Sequence, residues 1–284
     1  MMATTRIAVF ARKGGAGKTA LTVLLGRELV RQGVRVLVVD LDPQVVSIPT
    51  AFGIDTNATL AFTAMDLIAG PEGRPFHPHA VIPGKLDVVP GNQEQVAILE
   101  HALYELFKRL RAVAGISARP RRAILDVQLA AVEVGYDCVL LDCPTALGEV
   151  TSNAIEAAHC ILSPIDMKYR ANVLSVTDLL QHVGALEGGP EIMFVANKWA
   201  PRERQCRLAL LDAQRLCGER LLPTMVPECT AIPESLTEHR EIRAASDLAA
   251  QATQAVWHLG QTVIAFSQRL DQKLAAVAAA GGET

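Results

Sequence analysis

Six short apolar runs, each followed by a segment of helical character, recur along the chain: Arg6–Phe10, Arg35–Val39, Leu86–Val89, Cys138–Leu141, Cys160–Ile165 and Ile192–Ala196, with a weaker seventh at Leu221–Val226. Strands that are apolar throughout, rather than on alternate residues, need cover on both faces. Strands alternating with helices meet that need as a mostly parallel twisted sheet with helices on both faces, an α/β fold. Half of the 284 residues are apolar and only 4% are aromatic, which suits such a core better than a β-sandwich. Ligands of open parallel sheets collect at the carboxyl ends of the strands. Every polar motif of this chain follows directly after one of the runs, so all of them are expected on one edge.

The first motif is Arg12-Lys13-Gly14-Gly15-Ala16-Gly17-Lys18-Thr19, between the first run and the apolar-periodic segment 20–30. Strand, glycine-rich loop and helix together make a phosphate cradle. The loop N–H groups converge on phosphate oxygens, and the positive end of the helix adds to the attraction. Lys18 is placed to neutralise β- and γ-phosphates and the Thr19 hydroxyl to bind Mg²⁺. Position 12, where the common form of this motif starts with glycine, holds Arg12, and Lys13 adds a cation just before the glycines.

Two further motifs end apolar runs: Val39-Asp40-Leu41-Asp42-Pro43-Gln44 and Leu141-Asp142-Cys143-Pro144-Thr145. An aspartate closing an apolar strand is costly to bury unless a cation or donors meet it. Asp142 therefore reads as the carboxylate that holds Mg²⁺ through water, and Asp42 as the group that orients the attacking water. Asp40 either supports Mg²⁺ or shapes the loop. A plainer role is open to all three, capping the turn that follows.

These segments, with Tyr136-Asp137 leading into the Asp142 strand, resemble the ParA/MinD class of deviant Walker ATPases, and most nearly the ParA partition proteins. The resemblance runs over nearly the whole chain and implies a P-loop NTPase fold of the deviant Walker type in one domain, 1–284, with a C-terminal helix at about 244–280 packed on the body. It implies ATP and Mg²⁺ as cofactors, held by Lys13, Gly14, Gly15, Ala16, Gly17, Lys18, Thr19 and Ala20. Asn197 and the turn Val226-Pro227-Glu228 are implied to hold the adenine. Catalysis falls to Lys13, reaching into the partner subunit's nucleotide, with Lys18 and Asp42; the metal falls to Thr19, Asp142 and Asp40. The same resemblance implies an ATP-sandwich homodimer that binds double-stranded DNA without sequence preference. A ParB-type centromere-binding protein then stimulates hydrolysis, and plasmid or chromosome DNA is segregated.

The chain departs from that pattern at Ala20, Val45-Val46, Thr145 and Glu228-Cys229, where the family tends to carry threonine, Gly-Asn, proline and Arg-Asn. The first three changes touch the loops that sense the γ-phosphate and bear on hydrolysis rate. Glu228 removes a basic group expected to face DNA. With 27 basic and 30 acidic residues, a net charge of −3, nucleic acid has to be met by a local patch. The candidates are Arg202, Arg204 and Arg207; Arg240 and Arg243; and the run Lys108, Arg109, Arg111, Arg119, Arg121, Arg122.

Only eleven residues precede Arg12, which leads to the expectation that no helix-turn-helix domain precedes the loop. Six cysteines without C-x-x-C spacing give no indication of zinc or an iron–sulfur cluster. The weakly charged tail lacks the dense basic face of a membrane-cycling ATPase. A cytoplasmic, nucleoid-associated protein without a membrane partner is expected. Positioning of another cargo, a protein cluster or compartment, is the alternative function, together with membrane cycling.

Overall fold

The computed structural model describes residues 3–42, 48–55, 62–70, 75–91, 98, 100–105, 108, 120–186 and 188–281. Its centre is an eight-stranded sheet. The strands are β1 (Thr5–Val9), β2 (Val36–Asp40), β3 (His79–Ile82), β4 (Leu86–Val89), β5 (Cys138–Asp142), β6 (Cys160–Asp166), β7 (Glu191–Trp199) and β8 (Leu221–Pro227), in the order β3-β4-β2-β5-β1-β6-β7-β8. All neighbours pair in parallel except β3 with β4, which run antiparallel. The expected mostly parallel α/β sheet with helices on both faces is what forms.

The continuous apolar runs produce this layering because each strand feeds two cores. Ala8, Leu37, Val39, Val139, Leu141 and Ile161 enter one cluster, with Leu125 and Leu129 of α4 (Pro120–Val132) and Ile155 of α5 (Glu149–Ala157). Their neighbours Ile7, Val9, Val36, Val38, Cys138, Leu140 and Leu162 enter the other, with Leu21 and Leu25 of α1 (Lys18–Arg31) and Leu259 and Val263 of α10 (Asp247–Gly281). Successive side chains of a strand point to opposite faces, so an unbroken apolar run is what a two-sided core requires.

Three structural details differ from the sequence reading. β3 has no counterpart among the seven runs. β7 extends to Trp199, three residues past Ala196, carrying Asn197 at its end rather than after it. The weak seventh run is a full edge strand, β8. The expected irregular segments Gly70–Pro78 and Gly115–Pro120 fall partly outside the described residues, as do Pro43, Gln44, Val45, Val46, Arg109, Arg111 and Arg119.

At the amino end of the sheet, Arg6 on β1 is 5% exposed. Its Nε donates to Glu133 Oε2 at 2.7 Å and a terminal nitrogen to Glu133 Oε1 at 2.8 Å, while the other nitrogen pairs with Asp126 of α4. A two-pronged guanidinium fits a carboxylate in this way where a lysine would not. It ties α4 to the central strands at the end of the sheet opposite the polar motifs.

Candidate nucleotide site

The loop after β1, the ends of β2 and β5, and the ends of β7 and β8 meet at the carboxyl edge of the sheet. Between β1 and α1 the chain turns through Gly15 and Gly17, with φ of 74° and 95°. At Gly17 the left-handed backbone is not the only reason for glycine. A Cβ there would stand 2.3 Å from Asn197 Nδ2, which donates to Ala16 O at 2.6 Å. Asn197 thus bolts the loop to β7. The α1 N-terminus carries no capping side chain, which leaves its first N–H groups for an anion.

Lys18, 6% exposed, faces Asp42 at 3.6 Å. Thr19 Oγ1 donates to Asp142 Oδ2 at 2.8 Å and Thr22 Oγ1 to Asp142 Oδ1 at 3.0 Å. Thr22 was not among the sequence candidates, although three residues past Thr19 places it on the same helix face. Burial pushes the Asp142 carboxyl up to about 7, against the two hydroxyl hydrogen bonds and Lys18, which lower it.

Asp40 pairs in register with Asp142 across β2 and β5 and is fully buried. Its Oδ1 accepts from Asp42 N at 3.2 Å, and the Gly91 backbone also lies against the carboxylate. Burial first, then the charges of Asp142 and Asp42, hold the Asp40 carboxyl well above the usual carboxylate range. Asp40 thus lies beneath the Asp42 turn and directly across the sheet from Asp142. It is packed by Gly91, where a Cβ would come within 2.7 Å of Asp40 O and 3.0 Å of its Cγ. Gly91→Ala is expected to cost about 1–3 kcal/mol through that backbone clash and to weaken nucleotide binding with it. Thermal unfolding and nucleotide titration of the variant check this, and an unchanged melting temperature contradicts it.

Beside the loop lies a largely apolar slot of about 280 Å³, lined by residues that include Ala20, Leu21, Asn197, Val226, Pro227 and Glu228. The slot brings the sequence-predicted base contacts together. Two ion pairs missed by sequence reading frame it. Lys198, in the left-handed region at φ 54°, reaches Asp166 at 3.1 Å, and Lys168 reaches Glu228 at 3.2 Å. Glu228 N–H donates to Trp199 O at 3.1 Å, fixing the turn against β7.

Lys13 and Gly14 lie exposed at the lip of the loop, and Arg12 reaches Asp178 of α7 (Ser175–Gly184) at 3.6 Å. Arg202, Arg204, Arg207 and Arg243 are exposed. Arg207 donates to Pro201 O and Arg202 O, whereas Arg240 is paired with Glu238.

A protein-family profile described as an AAA domain matches residues 4–188, about two thirds of the chain and all of the phosphate-loop half. The chromosome-partitioning ATPase Soj of Thermus thermophilus is 32% identical over 239 residues, 81% of this chain and 84% of that protein. The chain belongs to the ParA/MinD family, on its ParA side. Another family member, the chromosome-partitioning ATPase Soj of Treponema pallidum, is 31% identical over 185 residues, 63% of each chain. The match thus spans less than two thirds of that relative. The ParA/MinD fold is also seen in a solved structure of apo McdA from Cyanothece, which superposes with a TM-score of 0.72 at 18% identity over 89% of this chain and 98% of that one.

Proposed function

We propose that this ParA/MinD-family chain binds Mg·ATP in the site just described and hydrolyses it as part of a DNA-partition cycle. The observation that carries the reading is the Lys18–Asp42 contact beside the Thr19/Thr22–Asp142 hydrogen bonds at an uncapped helix start. Without a phosphate, the Asp42 carboxylate is the anion that Lys18 meets. A β/γ-phosphate arriving in the loop takes Lys18 over, and Asp42 is released to hold a water in line with the γ-phosphorus. Residue 42 thereby couples phosphate occupancy to the chain that follows it.

The Asp142 donor set fits a divalent cation: a buried carboxylate with the Thr19 and Thr22 hydroxyls on its two oxygens. Mg²⁺ there supplies charge neutralisation to the phosphates. The chain's own part is to fix Thr19 and Asp142 on facing elements, to line the base slot with Asn197 and the Val226-Pro227-Glu228 turn, and to keep the loop glycines free of side chains.

Lys13 stands exposed at the lip of the loop. A lysine supplied across an ATP-sandwich homodimer adds charge stabilisation only when two subunits meet. The dimer in turn places Arg202, Arg204, Arg207 and Arg243 on a common surface for the phosphates of duplex DNA. A ParB-type partner that stimulates hydrolysis completes a cytoplasmic, nucleoid-bound cycle that segregates plasmid or chromosome DNA. The partner selects the cargo, so the same cycle serves a protein cluster or compartment equally.

The test is the molecular mass and the duplex-DNA affinity of the protein with ATP, with ADP and without nucleotide. Dimers and salt-sensitive DNA binding with ATP alone are expected. Replacing Arg202, Arg204 and Arg207 together by alanine is expected to flatten the salt dependence, by roughly one unit of log–log slope per lost phosphate contact. A mass that never changes with nucleotide overturns the cycle, and a triple variant with full affinity and slope removes that cluster from the DNA surface.

A further inference from the structure

Arg27 lies on α1 nine residues past Lys18, about 14 Å along the helix at the usual rise per residue. Its half-buried guanidinium is held by backbone carbonyls of two other segments. Nη2 donates to Ala51 O at 2.8 Å, and Nη1 donates to Arg240 O at 2.7 Å and Ser235 O at 3.3 Å. The Cζ atom sits 5.4 Å from the centre of the Phe52 ring. Ala51 and Phe52 belong to α2 (Ile48–Phe52), Ser235 to α9 (Ala231–Thr237), and Arg240 to the chain just after α9. His239 Nδ1 comes within 3.2 Å of the same Ala51 O, so the two segments also meet directly.

Both segments belong to the nucleotide site at their other ends. From α9, Ile232, Pro233 and Leu236 line the base slot. The α2 helix begins six residues past Asp42, the group that faces Lys18. One side chain, on the helix that starts at the phosphate loop, therefore joins the base wall to the chain that follows Asp42. The planar fork of arginine can span two elements in this way, whereas a lysine offers only a point charge. We propose that Arg27 is a positioning residue that couples the two ends of the site, so that a base seated against α9 strengthens the preference for a γ-phosphate at Lys18 and Asp42. The coupling is reciprocal, because base and γ-phosphate favour the same arrangement of α2 and α9. The inference rests on the nucleotide-site reading above.

The experiment is calorimetric binding of ATP, ADP, tripolyphosphate and pyrophosphate, each with Mg²⁺, to the full chain and to Arg27→Lys and Arg27→Met. The ATP-to-ADP affinity ratio divided by the tripolyphosphate-to-pyrophosphate ratio is the coupling factor. It is expected at about fivefold or more in the unaltered protein, the low end for coupled sites, and a smaller factor overturns the proposal. Both variants are expected to keep less than half of it, and a variant that keeps half or more overturns the proposal as well. The lost cation acts on phosphates with or without a base, so it cancels in the factor. A merely structural role weakens all four ligands and leaves the factor unmoved. Arg27→Lys keeps the charge and the stem, so the comparison stands even where Arg27→Met does not fold. Tripolyphosphate that fails to bind where ATP binds removes the premise that the loop holds phosphate by itself, and the proposal with it. Failure of all four ligands removes the nucleotide-site reading. Binding of all four with an unmoved factor removes only the role of Arg27.

Discussion

Asp142→Asn is expected to make the nucleotide-free protein more stable at pH 8 while crippling the site. The unfolded chain releases the Asp142 proton near the ordinary value of 3.8, whereas the folded chain holds it up to about 7. Between those values the folded state binds the extra proton, so this carboxyl lowers stability progressively as the pH rises through the window. The full three-unit difference amounts to roughly 4 kcal/mol. Asparagine removes the buried charge and keeps the shape, and the Thr19 and Thr22 hydroxyls can turn to accept from its amide. Re-pairing recovers only part of the difference, so a gain of about 2 kcal/mol is expected, some 4–8 °C in melting temperature at a few degrees per kcal/mol.

Near pH 5, where the wild-type carboxyl is itself protonated when folded, the two proteins are expected to melt together. The Asp142 charge also helps to raise the Asp40 carboxyl, so the difference between the two proteins reports Asp142 together with its coupling to Asp40. Added Mg·ATP reverses the order at pH 8, because a carboxylate that holds the metal's waters contributes about 10–100-fold to metal affinity or activity. Thermal unfolding at both pH values, with and without Mg·ATP, reads all of this. Equal melting temperatures at pH 8 without nucleotide would show that Asp142 is not strained by its burial.

The second large effect is at the opposite end of the sheet. Arg6→Ala strands Glu133, whose side chain is 15% exposed, without its cation, while Asp126, at 45%, rehydrates. Removing one partner of a buried pair costs about 3–5 kcal/mol, and with one of the two acids rescued by water the lower end applies. A loss of roughly 6–12 °C in melting temperature follows for a chain of this size. Asp126→Asn, which touches only the half-exposed partner, is expected to cost under about 1 kcal/mol. Differential scanning calorimetry of the two variants separates these effects, and an Arg6→Ala shift below about 2 °C would mean that the triad contributes little.

What could be read in the sequence was whatever depends on neighbours along the chain. Ile7-Ala8-Val9-Phe10 and Leu140-Leu141-Asp142 announce buried strands with polar ends because burial on both faces demands it. His79-Ala80-Val81-Ile82 announces nothing: four residues, mostly exposed, gain their strand character from pairing with β4. The place of the glycine-rich loop and of the three aspartates at the strand ends was legible, since glycine spacing and a charge after an apolar run have local causes. Thr22 was hidden among the residues of a regular helix. The pairs Lys198–Asp166 and Lys168–Glu228 depend on β6 and β7 lying in register, with Asp166 beside Asn197, and no local pattern encodes that.

The reversed strand β3 has a consequence for how this protein behaves when crowded or stressed. Among the described residues no strand pairs with its far side, a row of backbone groups on which a stray chain could template itself and begin a fibril. Pro78 and Pro83 flank the strand immediately on either side. Neither offers an amide hydrogen, so a guest strand finds a landing of four residues with a blunt stop at each end. The margin is too short to seed growth, and the sheet can remain unfinished there without becoming contagious.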